Sequence, residues 1–183
     1  MVDEFISLLR ENGVKLLADV RAWPGSKRYP QFNKEALAES LTPHGIGYEH
    51  FPELGGKRKS KPDSRNTAWR NASFRGYADY METEQFQQGI ERLLDVAGQG
   101  AATRAAAEAK HEGREAVTPR AIAIMCAEAV WWRCHRSLIA DYLKARGVEV
   151  LHILGANKVD PHPYTPAARI VNGELTYEAE SLL

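Results

Sequence analysis

A chain of 183 residues with 24 basic and 24 acidic side chains carries no formal net charge, so the molecule as a whole is no electrostatic magnet for nucleic acid or an anionic membrane. Hydrophobic content of 44% beside 26% charged residues is the composition of an ordinary globular protein, and the length suits one domain over 1–183. No apolar run approaches the ~20 residues of a membrane span. The opening Met1-Val-Asp-Glu-Phe5 lacks the parts of a secretory signal, so a cytoplasmic, reduced setting is expected for its two cysteines.

In chain order, Asp3 is placed to cap a helix over residues 4–12, with Phe5, Leu8 and Leu9 on one face and Gly13 as its stop. Residues 14–20 read as a strand ending at Asp19 and Arg21, broken by Pro24 and Gly25. Asn33 is set to cap a helix over 34–41, and 46–51 reads as a second strand. A basic loop runs from Gly55 to about Asn71. Helical patterns resume at 74–82 and, behind Thr83, at 84–97, where Phe86, Ile90, Leu93 and Leu94 share a face.

Residues 98–118 lack a large apolar side chain until Val117 and read as an exposed, partly helical insertion. A short apolar strand follows at 121–126, then a helix over 135–146 stopped by Gly147, a further strand at 148–154, and an irregular segment at 156–168. Asn172-Gly173 inside 169–177 is the signal of a two-residue hairpin turn. Strands alternating with helices argue a three-layer α/β domain with a mainly parallel sheet and a C-terminal hairpin. Such folds commonly begin on a strand and this chain begins on a helix, so a first strand is expected to be missing.

Chemistry concentrates at 120–136, which holds both cysteines. The strand ends on Cys126, passes Glu128, Trp131 and Trp132, and reaches Cys134-His135-Arg136 where a helix begins. Ligands of open α/β sheets sit beyond the carboxyl ends of the strands, so this segment and Asp19–Arg28 are expected to share one crevice. Cys134, expected at the first turn of a helix where its sulfur meets the positive end of the macrodipole, and among Arg133, His135 and Arg136, has the surroundings that lower a thiol pKa; the plain alternative is a packed core cysteine. Glu128, Asp19 and His135 are the candidate proton carriers; Glu128 could equally hold an arginine in place, and for Asp19 that ion-pair role is the better reading.

Arg21, Arg133 and Arg136 would bind an anion, with Asp19 and Ser26 beside Arg21, Trp131 stacking on a flat ligand, and His162 closing over the sheet edge from its loop. Lys57–Lys61 reads as a solvated charge run. Tyr77 and Tyr80, spaced for one helical face, read as core. Cys126, Cys134 and His135, completed by His152, His162 or Asp19, are the soft donors a zinc-like ion would take. Seven residues between the cysteines matches no common zinc pattern, however, and adjacent Cys and His seldom turn toward one ion, so no metal ligand set is assigned. A phosphatase-type or rhodanese-type loop fits poorly: six residues separate Cys126 from Arg133, and two are tryptophan.

Asp19-Val-Arg21 with Pro24 and Ser26, Leu54-Gly-Gly56, Phe74 with Tyr77-Ala-Asp-Tyr-Met81, Cys126-Ala-Glu128, Cys134-His-Arg136 and His162 with Thr165-Pro166 occur in that order. Over nearly the full chain this resembles the bacterial domain-of-unknown-function 488 family. The resemblance implies a small cytosolic α/β domain and supplies no reaction. Members usually open on a strand bearing a Gly-His-Ser-like segment, which this chain lacks. The residues favour an enzyme acting on a small, flat anion, a nucleotide or nucleic-acid end. Against it stand a non-catalytic anion-binding module and a metal-dependent or dithiol redox protein. Cofactor and oligomeric state stay open.

Overall fold

A computed structural model of the chain describes residues 2–98 and 120–180. They gather into two compact units, Met1–Gly55 with Glu84–Met125, and Gly56–Thr83 with Cys126–Leu183. Apart from Gly98, the insertion expected at 98–118 lies outside the described residues.

The first unit carries the parallel sheet. Helix α1 (Val2–Glu11) buries Ile6 and Leu9, and Gly13 at φ 66° ends it, its N–H returning to Arg10 O. Asp3 lies in the first turn rather than ahead of it, because the helix starts at Val2. Strands β1 (Leu16–Asp19), β2 (Gly47–His50) and β3 (Ile122–Met125) form a sheet in the order β2-β1-β3, with Leu16 opposite both Gly47 and Ile122. Leu17, Ala18 and Asp19 are all buried, as a central parallel strand covered on both faces requires.

Helix α2 (Lys34–Leu41) buries Leu37 and Leu41. Asn33 stands at its start, but its Oδ1 accepts from Ser26 N–H at 2.5 Å instead of capping the helix. In the same unit one further helix, 84–96, buries Phe86, Ile90 and Leu93 on one stripe. A Cβ on its Gly89 would lie 2.6 Å from Glu53 Cγ and 2.9 Å from Leu54 Cδ2, so the missing side chain sets how closely that helix passes over the 52–54 turn.

In the second unit, helix α3 (Ala72–Met81) is capped by Asn71, whose side chain accepts from the Ser73 and Phe74 amides. Helix α4 is the 84–96 helix of the first unit, and helix α5 (Arg136–Ala145) buries Leu138, Ile139 and Leu143. The expected further strand at 148–154 is β4 (Leu151–Gly155), and it does not continue the parallel alternation. Asn157, at φ 55°, turns the chain back, and β5 (Lys158–Pro161) pairs with β4 antiparallel inside the segment expected to be irregular. A second hairpin, β6 (Arg169–Val171) and β7 (Glu174–Thr176), turns on Asn172 and Gly173 with both φ positive, as the Asn-Gly pair predicts. The chain is an α/β protein whose described residues form three parallel strands and C-terminal antiparallel hairpins. Among the described residues no helix is long and apolar enough to cross a membrane.

Candidate active site around two cysteines

The segment after β3 does not run straight into a helix. It makes a short 3-10 turn, Trp131–Arg133, and Cys134 follows in extended backbone at φ −126° and ψ 148°. His135 then occupies the cap position of α5. The Cys134 carbonyl accepts from both the N–H and the Oγ–H of Ser137, at 2.9 Å each, which pins the turn to the helix start. Cys134 therefore precedes the first helical turn instead of standing in it, and its side chain is only 2% exposed.

The fold brings three soft donors together. Cys126 Sγ, Cys134 Sγ and one ring nitrogen of His135 all lie within 4.8 Å of one another. His135 Nδ1 is 3.6 Å from the Cys134 sulfur and 4.0 Å from that of Cys126. Gly56 makes room for the ring: a Cβ there would stand 2.8 Å from His135 Nδ1. Tyr77 packs on the imidazole at 4.9 Å, and His135 Nε2 is buried without a hydrogen-bond partner. Arg136 completes the cluster, its Nε donating to the Cys134 sulfur at 3.4 Å and an NH2 group to the Glu128 carbonyl at 2.5 Å.

These contacts drive the two thiols apart in acidity. Cys134 is lowered to about 6, chiefly by the S–H of Cys126 donating to it; burial opposes this, and the Arg136 amide and guanidinium reinforce it. Cys126 is pushed up to about 12, first by giving its hydrogen to Cys134 and then by burial. The contacts thus favour charge on Cys134 and keep the proton on Cys126. Such a pair suits nucleophilic chemistry, the charged sulfur being the reactive one.

Cys126, Cys134 and His135 are also the described residues that could hold a soft divalent ion. Adjacent Cys and His seldom turn toward one point, but here the extended backbone at Cys134 lets both side chains face Cys126. The Arg136 guanidinium on the Cys134 sulfur puts a positive charge where an ion would need that sulfur's electrons.

The remaining predicted residues divide between the units. Asp19, Arg21 and Ser26 belong to the first. Arg21, almost wholly buried, gives Nε to both oxygens of Asp19 and an NH2 group to Asp19 Oδ2 and the Phe32 carbonyl. Tyr48 donates to the same carboxylate at 2.6 Å, and burial followed by Asp19 raises its hydroxyl's pKa. The ion-pair reading of Asp19 describes this geometry. Ser26 serves a turn, its Oγ accepting from the Tyr29 amide.

Within the second unit, Glu128 is exposed and touches the cluster through its backbone carbonyl, and Arg133 is exposed. Trp131 has His152 stacked on it at 4.0 Å with a 4° tilt, so that face is not open to a ligand, whereas Trp132 is exposed. His162 is buried rather than lying over a surface edge, 3.0 Å from Asp141 and 2.8 Å from His152. Asp141 reads in the sequence as one more polar residue of an amphipathic helix, and His152 enters there only as a possible further donor to a metal ion. Tyr77 and Tyr80 are core, as their spacing predicts.

A family model described as "Domain of unknown function DUF488" matches residues 1–113 and 99–143. Neither the curated proteins nor the solved structures contain a match.

Proposed function

The chain belongs to the DUF488 family, and on that premise we propose that it is a thiol-dependent enzyme with Cys134 as its nucleophile, acting on a small anionic substrate. The observation that supports this is the convergence of both sulfurs and His135 Nδ1 within 4.8 Å, with Arg136 on the Cys134 sulfur. A thiolate of lowered pKa attacks without first passing a proton to a base. Its low exposure favours small, slender electrophiles. Arg136 at the start of α5, and Arg133 at the end of the 3-10 turn before it, supply the positive charge that recruits an anion.

In the attack, a Cys134 sulfur lone pair forms the new bond and the leaving group departs with its electron pair. Cys126 then loses the charge that held its proton so firmly. Its acidity returns toward that of an ordinary thiol, and it becomes the group able to protonate what leaves. Glu128 and His135 stay the candidates for returning a proton to Cys126 afterwards, and Arg133 and Arg136 for holding the substrate.

The same two sulfurs favour a second reading. Attack by Cys126 on a Cys134 mixed disulfide would expel the other thiolate and leave a Cys126–Cys134 disulfide, the dithiol losing two electrons and a disulfide substrate gaining them. A mass loss of ~2 Da would mark that case.

Alkylation of the native protein with iodoacetamide at pH 7, mapped by mass spectrometry, tests the assignment. The expected product carries the label on Cys134, with Cys126 unmodified. Labelling confined to Cys126, or no labelling until the chain is denatured, overturns it.

A further inference from the structure

A second cluster in the same unit uses neither cysteine. Asp141, on the buried face of α5, is fully enclosed. Its carboxylate accepts from the Thr165 amide at 2.9 Å, the Thr165 hydroxyl at 2.6 Å, the Tyr177 hydroxyl at 3.0 Å and His162 Nε2 at 3.0 Å. Four donors fill the acceptor sites of an ionised carboxylate. Tyr177 answers with a hydroxyl pKa raised well above its ordinary value, by burial first and by Asp141 next. Since a carboxylate only accepts, the hydrogen between Asp141 and His162 sits on His162 Nε2.

That fixes the next link. His162 Nδ1, left with a lone pair when the ring is neutral, lies 2.8 Å from His152 Nε2. His152 therefore donates through Nε2 and keeps its own lone pair on Nδ1. His152 Nδ1 has no hydrogen-bond partner among the described residues. The His152 ring is held flat on Trp131 at 4.0 Å and lines an open cavity of about 370 Å³ together with Lys144, Asp160 and Pro163.

We propose that Asp141, His162 and His152 form a proton relay serving a ligand in this cavity, and that the ligand is a small monoanion carrying a hydroxyl group. The ligand's O–H bond breaks and its proton goes to His152 Nδ1. The hydrogen on His152 Nε2 passes to His162 Nδ1, the positive charge comes to rest on His162 against Asp141, and the electron pair stays on the ligand oxygen. One proton enters the chain of imidazoles, and nothing is oxidised or reduced.

A purely structural role for Asp141 would be complete with Thr165, Tyr177 and His162. It gives no reason for a second imidazole that carries the network to a cavity wall. The ligand class follows from the other groups there. Lys144 spends one N–H on the His162 carbonyl at 2.6 Å and has two more to offer an anion. Asp160, opposite His152 in the strand pair, limits the ligand to one negative charge on entry; the second arises only as the imidazoles take up the hydroxyl proton and its compensating positive charge.

The charged groups around the outer ring agree with this direction of transfer. His152 is lowered to about 4 by burial first, then by His162 and Arg136, with Asp160 opposing. The outer ring thus disfavours keeping a positive charge.

The test is nitrogen-15 NMR of the imidazoles in the intact chain, with glycolate as the probe and acetate, which lacks the hydroxyl, as its control. The expected result is a single proton taken up by the histidine pair on acidification and carried by His162. Glycolate should bind about tenfold more tightly than acetate, as one added hydrogen bond of ~1.4 kcal/mol gives. His152→Phe, which keeps a ring against Trp131, should abolish that preference. The proposal is overturned if His152 protonates while His162 stays neutral, if glycolate binds no better than acetate, or if the preference survives in His152→Phe.

Discussion

Replacing Cys126 with alanine removes the contact that does most to make Cys134 acidic. The S–H of Cys126 donates to a charged sulfur, and hydrogen bonds to charged groups are worth about 1.5–3 kcal/mol. At about 1.4 kcal/mol per pKa unit, that loss should raise the Cys134 midpoint by about 1–2 units from its value of about 6. Arg136→Gln should move it less, because the Arg136 amide still donates to the sulfur after the guanidinium is gone. The assay is the rate of iodoacetamide modification of Cys134 against pH, followed by mass spectrometry in wild type and both variants. The midpoints should fall in the order wild type, Arg136→Gln, Cys126→Ala. A Cys126→Ala midpoint within a few tenths of wild type, or a larger shift in Arg136→Gln, would refute the reasoning.

Four other outcomes can be checked alongside. Because the folded pKa of Cys134 is depressed, its contribution to stability is complete above an unfolded thiol's ~8.5 and is lost as pH falls through about 6; urea unfolding should show a loss of at most ~3 kcal/mol across that window, absent in Cys134→Ser. The raised Cys126 works the other way, so its contribution is held below ~8.5 and lost as pH rises toward about 12. Asp19→Asn leaves the buried Arg21 guanidinium without its carboxylate and should cost about 3–5 kcal/mol in a denaturant titration, with a loss under 1 kcal/mol contradicting the structural role. Gly76→Ala sets a Cβ 2.5 Å from the backbone oxygen of Arg58 inside the second unit; overpacking of this kind costs about 1–3 kcal/mol, and an unchanged melting temperature would show that the close approach is not real.

Much of the fold could be read from local signals. The apolar run at 16–19, the Gly13 stop and the Asn172-Gly173 turn each act over a few residues, and each appears where its chemistry points. The β4–β5 hairpin was not legible. Its turn rests on Asn157 in a left-handed conformation, and Gly155-Ala-Asn-Lys158 is a weaker signal than Asn-Gly. Pro161 and Pro163 beyond it read as loop, although Pro161 can end a strand because it gives up only an N–H.

At the candidate site, residue types were legible and pairings were not. The cysteines, His135 and Arg136 stand out by composition. That Cys126 lies against Cys134 depends on the 3-10 turn at Trp131–Arg133 and on extended backbone at Cys134, neither of which has a sequence period. Arg21 looks like a ligand-binding arginine in sequence because nothing there reveals that Asp19, two residues earlier, accepts three of its side-chain hydrogen bonds. The Asp141–His162–His152 chain joins residues 21 and 10 apart, beyond the reach of helix or strand spacing.

The central claim is that the native protein holds one cysteine thiolate at neutral pH and that Cys134 bears it. Ultraviolet thiolate absorbance of the folded chain, titrated from acid to alkali beside Cys134→Ser and Cys126→Ser, measures this without any reagent having to reach the sulfur. One thiolate should form with a midpoint near 6 and be lost in Cys134→Ser, while the second sulfur stays protonated to strongly alkaline pH. Two thiols titrating together near an ordinary ~8.5 would contradict it.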